Sequence, residues 1–267
     1  MSMTAVTCVR RRSLLVASAC AAALPARAQV QDLNDAINKA GRQRMLSQRL
    51  AKAYLALGQG IEPDAARRVL DQSLATFDRQ LVELRAYAPN AAIRETYQAL
   101  DAAWSEYKSL LVGAAPARDK TARLVNLDAS VLALAHQGTQ QYEVASGRAV
   151  GKLVNVAGRQ RMLSQRTAKF YLALAWQPEL PGAAAELDKA RREFVSAHAL
   201  LDEAPQATSD IRERLALAQN QWVFFDNALQ RAGESGAAAR RATDVFRTSE
   251  NILQVMDQVT GLFARLA

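Results

Sequence analysis

The chain has 267 residues and a formal net charge of +8, from 34 basic and 26 acidic side chains. With 12 Gly and 7 Pro in a composition rich in Ala, Leu, Arg and Gln, it favours helix nearly throughout. Its two cysteines, Cys8 and Cys20, and two well-separated histidines, His136 and His198, argue against a disulfide framework and a histidine metal pair.

Residues 1–28 read as an export signal. Arg10, Arg11 and Arg12 form a basic head, residues 13–24 an apolar run, and Pro25 breaks it before Ala26-Arg27-Ala28. The run is too short to span a bilayer. Arg11-Arg12-Ser13-Leu14-Leu15 has the form of a twin-arginine signal, with a Sec signal as the other reading. Lipidation at Cys20 ranks below cleavage after Ala28, because the residue three before it, Ala17, is small. The product expected is a periplasmic protein beginning at Gln29, with no transmembrane span and no cysteine. The segment carries four arginines and no acid, so the net charge drops from +8 to +4.

From residue 29 the breaks fall at matching places. Gly58-Gln59-Gly60 with Pro63 closes the first helix, and Gln177-Pro178 through Pro181-Gly182 closes its counterpart. Pro89-Asn90 and Pro205 mark the next corners, then Gly113 to Pro116 and Gly233 to Gly236. The expectation is an all-α fold of two tandem four-helix up-down bundle units, 29–146 and 147–267, joined by short turns. The seam has two readings. A turn near Gly147 to Gly151 would pack the units side by side as a pseudo-dimer, and a continuous helix would set them end to end.

The internal duplication is most literal at the first helix of each unit. Residues 38–57 read NKAGRQRMLSQRLAKAYLAL and residues 155–174 read NVAGRQRMLSQRTAKFYLAL, identical at seventeen of twenty positions. Helix cores tolerate apolar swaps of similar volume, so packing alone does not account for every repeated Arg, Gln and Ser. On a helical wheel Leu46, Leu50, Leu57 and Tyr54 face the core of their own unit. A second face of Ile37, Ala40, Gly41, Ala51 and Leu55 carries Arg44 and Gln48 at its middle. The second copy repeats this face with Gly158, Arg161 and Gln165. Arg42, Arg49 and Lys52 read as a solvated edge.

No acid lies within the repeated string to balance Arg44 or Arg161. Either they reach solvent or pair with a carboxylate such as Asp32, Asp35 or one on the fourth helix, or they face each other and clamp a small anion. Guanidinium suits the second role, being planar, permanently charged and matched to bidentate oxygen acceptors. Gly41 and Gly158, one turn before each arginine, would let an anion approach backbone.

The string AGRQRMLSQR resembles the signature of the N-terminal sensor domain of type IV pilus methyl-accepting transducers, the PilJ type. It is also similar to the P-box of nitrate/nitrite sensor kinases, of form AGxxRMxSxR. In those kinases two P-box helices meet across a homodimer and hold nitrate between the arginines that precede the methionine. The resemblance places those arginines at Arg44, before Met45, and Arg161, before Met162, and it favours the clamp. It implies a non-enzymatic sensor of a small inorganic anion, with nitrate or nitrite the candidates. Its ligand-binding residues would be Arg44, Arg161, Gly41, Gly158, Gln48 and Gln165, with no cofactor and no metal. Output would pass to a membrane receptor or another signalling protein, since the chain carries no signalling domain of its own. The other reading is an interaction module without a small ligand. Export and the moderate charge argue against nucleic acid, and Ser47 and Ser164 have no histidine in the motif to activate them.

Overall fold

The computed structural model describes residues 29–113, 115–230 and 238–266. The export signal and the corner at Gly233 to Gly236 lie outside these residues. Eight α-helices account for the described fold: α1 (Leu33–Gly58), α2 (Pro63–Tyr87), α3 (Ala91–Gly113), α4 (Thr121–Ser146), α5 (Ala149–Trp176), α6 (Ala183–Asp202), α7 (Ser209–Gln230) and α8 (Ala238–Ala264). A single 3₁₀ turn, Arg118–Lys120, leads into α4.

Local chemistry sets these boundaries. The Asp32 carboxylate accepts from the Asp35 N–H at 2.8 Å and starts α1. Pro63 opens α2, where its missing N–H costs nothing. Asn90 Oδ1 accepts from the Ile93 N–H at 3.0 Å and starts α3. At the seam Gly147 adopts φ 60° and its N–H closes α4 on the Glu143 carbonyl. The chain therefore reverses there, and the side-by-side reading holds.

At the centre α1 and α5 pack along each other. Each is flanked by the second and fourth helices of its own half: α1 by α2 and α4, α5 by α6 and α8. The third helices, α3 and α7, lie outside, mainly against α4 and α8. Leu46, Leu50 and Tyr54 are buried as the wheel requires, each leucine contributing about 1.5–3 kcal/mol of apolar burial. The duplication persists in the outer core. Phe77 stacks on Trp104 at 3.9 Å between centroids, and Phe194 on Trp222 at 3.8 Å.

The expected solvated edge is a correction. Lys52 is fully buried, with Nζ 2.8 Å from Ser249 Oγ and 2.6 Å from a Glu250 oxygen on α8. Arg49 binds the same Glu250 carboxylate, and Arg42 binds Asp257 at 2.7 Å. The wheel misread this flank because it cannot register α8, which crosses from the other half to cover it.

Candidate functional site

Gly41 and Gly158 face each other across the α1–α5 contact. A Cβ added to Gly41 would lie 3.8 Å from the Gly158 Cα, and one added to Gly158 would stand at the same distance from Gly41. Glycine keeps this space open. The added Gly41 methyl would sit 3.2 Å from Arg44 Nη2 and 3.5 Å from Arg161 Nη2, and the Gly158 methyl repeats these distances with the arginines exchanged. Both guanidinium groups thus reach the same small space from opposite helices. They are 1% and 0% exposed.

Their remaining contacts obey the same two-fold relation. Arg44 Nη2 donates to the Asn155 carbonyl at 3.1 Å, and Arg161 Nη2 to the Asn38 carbonyl at 3.0 Å. Neither Nε has a hydrogen-bond partner among the described residues. Burial comes first in lowering both guanidinium pKa values, Arg44 to about 9 and Arg161 to about 10, from 12.5.

The relation breaks at the fourth helices. Arg161 Nη1 donates to Asp257 Oδ1 on α8 at 2.6 Å. Arg44 Nη1 instead meets His136 Nδ1 on α4 at 3.2 Å. Asp32 and Asp35 serve neither arginine, for Asp32 caps α1 and Asp35 pairs with Lys39 at 3.1 Å. Arg44 has no carboxylate within ion-pair distance among the described residues, and the arginines Arg159 and Arg161 lower its pKa further. Burial and then Arg44 lower the His136 pKa to about 4. The imidazole is therefore neutral near pH 7, accepts the Arg44 N–H at Nδ1 and carries its own proton on Nε2.

Gln48 and Gln165 lie one turn further along the same face. Gln48 Nε2 donates to Asp128 Oδ1 at 2.6 Å, and Gln165 Nε2 to the Ser249 carbonyl at 2.8 Å. The second hydrogen of each amide goes to the neighbouring serine on its own helix, Ser47 Oγ at 2.9 Å and Ser164 Oγ at 3.4 Å. Lys169 Nζ, buried like Lys52, lies 2.5 Å from Asp128 Oδ2. Sequence reasoning did not single out this buried Lys169–Asp128 pair or its counterpart at Lys52. The identity of both lysines in the two copies was the available signal, the same one that marked the arginines. Among the described residues no cluster of His, Cys, Asp and Glu could hold a metal ion, and no helix is long and apolar enough to cross a membrane.

A family model described as the type IV pili methyl-accepting chemotaxis transducer N-terminal domain, PilJ, matches residues 26–130 and again residues 142–248. The chain belongs to the PilJ family. The two PilJ matches each contain one copy of the repeated string, so the central pair α1 and α5 joins equivalent helices of the two repeats. Membership gives the protein a signalling-sensor role. No curated protein and no solved structure matches the chain significantly.

Proposed function

We propose that this PilJ protein is an exported, non-enzymatic sensor that holds one small oxyanion, nitrate or nitrite, between Arg44 and Arg161. The observation that carries the reading is the convergence of two fully buried guanidinium groups on one space floored by Gly41 and Gly158. Facing guanidinium groups roughly 6–7 Å apart repel by about 2–3 kcal/mol at an effective dielectric near 20. An anion between them removes that cost and supplies acceptors for the unbonded Nε groups. The P-box resemblance supplies the ligand class, and the duplication brings together in one chain two arginines that the sensor kinases take from two. Binding favours a closer pairing of α1 and α5, and a separate signalling protein in the periplasm or membrane reads that change.

Calorimetric titration with nitrate and nitrite tests this. Arg44→Ala and Arg161→Ala should each lose about 1.5–3 kcal/mol of binding free energy, and Arg42→Ala should lose less. The expected stoichiometry is one anion per monomeric chain, with light scattering reporting the monomer. Unchanged affinity in both clamp variants would remove the site. A protein-interaction role without a small ligand has its own support, because Leu217, Val223 and Phe224 expose apolar surface along α7, Phe224 to 73%. A wild-type chain that binds no oxyanion but captures a partner through α7 would decide for that reading.

A further inference from the structure

The break in two-fold symmetry has a counterpart on the surface. Lys52 bonds Ser249 on α8 and Lys169 bonds Asp128 on α4, which makes Ser249 and Asp128 equivalent positions. One residue further along are Glu250 on α8 and Ala129 on α4, and eight further are Asp257 and His136. In the second repeat, therefore, α8 offers two carboxylates to the arginines of α1 and α5. In the first repeat, α4 offers a methyl group and a neutral imidazole at the same places.

Asp257 shows what the missing acid would do. A single oxygen of its carboxylate accepts from Arg161 at 2.6 Å and from Arg42 at 2.7 Å. The equivalents of those two arginines are Arg44 and Arg159, and both line a cavity of about 240 Å³ between α4, α5 and α6. The cavity is also lined by Arg166 and Lys189 and by the acids Glu186 and Glu193, which leaves two more cations than anions. Arg166 is already held, 2.6 Å from Glu186, and Glu193 takes Arg159 from the α6 side at 2.7 Å. The two cations of the lining left without an acid at ion-pair distance among the described residues are Arg44, beside His136 and Arg159, and Lys189 on α6. Among these charged groups Leu132, Ala133, Met162 and Ala190 supply an apolar wall.

We infer that this cavity binds a small organic monocarboxylate, its carboxylate at Arg44 and Arg159 in the role Asp257 plays in the other repeat, its apolar body against Ala133 and Met162. No second carboxylate is needed in the place of Glu250, because Arg166 and Lys169, the equivalents of Arg49 and Lys52, already have Glu186 and Asp128. The apolar wall suits an organic body, and the volume admits one. An apolar protein cavity of about 150 Å³ holds benzene, and nitrate alone would leave most of 240 Å³ unfilled. The His136 Nε2 proton is a donor the ligand can use, which no carboxylate side chain at this place could offer. This site rests on the oxyanion reading only in sharing Arg44, and it approaches that arginine from Nη1 rather than from the Gly41–Gly158 side.

The test uses benzoate as the probe on the full chain. Wild type should show saturable binding of one benzoate by calorimetry. His136→Asp, which installs the acid found at Asp257, should weaken benzoate at least tenfold. Ala133→Phe, at an exposed wall position that carries no charge, should weaken it to a similar degree and leave nitrate affinity unchanged. That second variant separates the two sites and keeps the test open should the first fold poorly. No saturable benzoate binding, or undiminished binding in Ala133→Phe, would overturn the inference. So would an Ala133→Phe variant that loses nitrate and benzoate equally, since the cavity would then be the oxyanion site itself. Benzoate binding to wild type with no nitrate binding would sink the oxyanion reading alone.

Discussion

Gly41 and Gly158 are the residues through which space, rather than contact, serves the site. A methyl at Gly41 would crowd Arg44 Nη2 at 3.2 Å and touch Arg161 Nη2 at 3.5 Å, in the space where an anion would sit between the two guanidinium groups. In a helix interior, however, Ala is favoured over Gly by about 1 kcal/mol. Gly41→Ala should therefore weaken nitrate binding while keeping the melting temperature at or near that of wild type. A thermal melt beside a titration checks both halves, and a strong loss of stability would make the glycine structural alone. These glycines and arginines were legible in the sequence because the duplication repeats them where packing would allow drift. His136 and Asp257 were not, because α4 and α8 lack that literal repetition. A helical wheel of α1 also cannot tell which acid will arrive from another helix.

At the scale of helices, charge binds the two repeats to each other. Lys169 on α5 reaches Asp128 on α4, and Lys52 on α1 reaches Glu250 on α8, so each lysine takes its acid from the other repeat. Lys169 and Asp128 are both essentially inaccessible, at 1% and 0%. Removing one partner of a buried pair strands the other charge and costs about 3–5 kcal/mol. Lys169→Met should destabilise by that order in urea denaturation, and adding Asp128→Asn should recover much of the loss. Equal stability in Lys169→Met and the double variant would contradict a stranded Asp128 charge as the source of the loss. Helix number, the turns and the all-α class followed from the few Gly and Pro residues and the periodic apolar positions. The side-by-side packing did not, because Gly147 and Gly151 are weak breakers and only the positive φ of Gly147 shows that α4 stops there.

For the whole molecule, titration has a definite direction. The unfolded His136 takes a proton near pH 6.5, whereas in the fold burial and Arg44 hold it off until about pH 4. Between those values unfolding takes up a proton, so stability falls as pH falls. Glu250 and Asp257 extend the trend. Against burial, which would raise them, Lys52 and Arg49 bring the Glu250 pKa from 4.5 to about 2, and Arg161 and Arg42 bring that of Asp257 from 3.8 to about 2. Their contribution is complete above the unfolded values and is lost as pH drops towards 2. Melting temperatures measured from pH 7 to pH 2.5 should decline in two stages, and His136→Gln should flatten part of the upper one, to which His198, its pKa also lowered by burial, contributes the rest. A profile level down to pH 4.5 would contradict the His136 assignment.

The crossed lysine pairs also bear on timing. A ribosome delivers the first repeat well before the second, and at that moment Lys52 has no Glu250 and Asp128 has no Lys169. The face of α1 that holds Ala40, Gly41 and Arg44 likewise has no α5 to close against. An unfinished chain would have to bury single charges to adopt its final packing, so the first repeat gains little by settling early. α8 brings the carboxylate that balances Arg49 and Lys52 of α1.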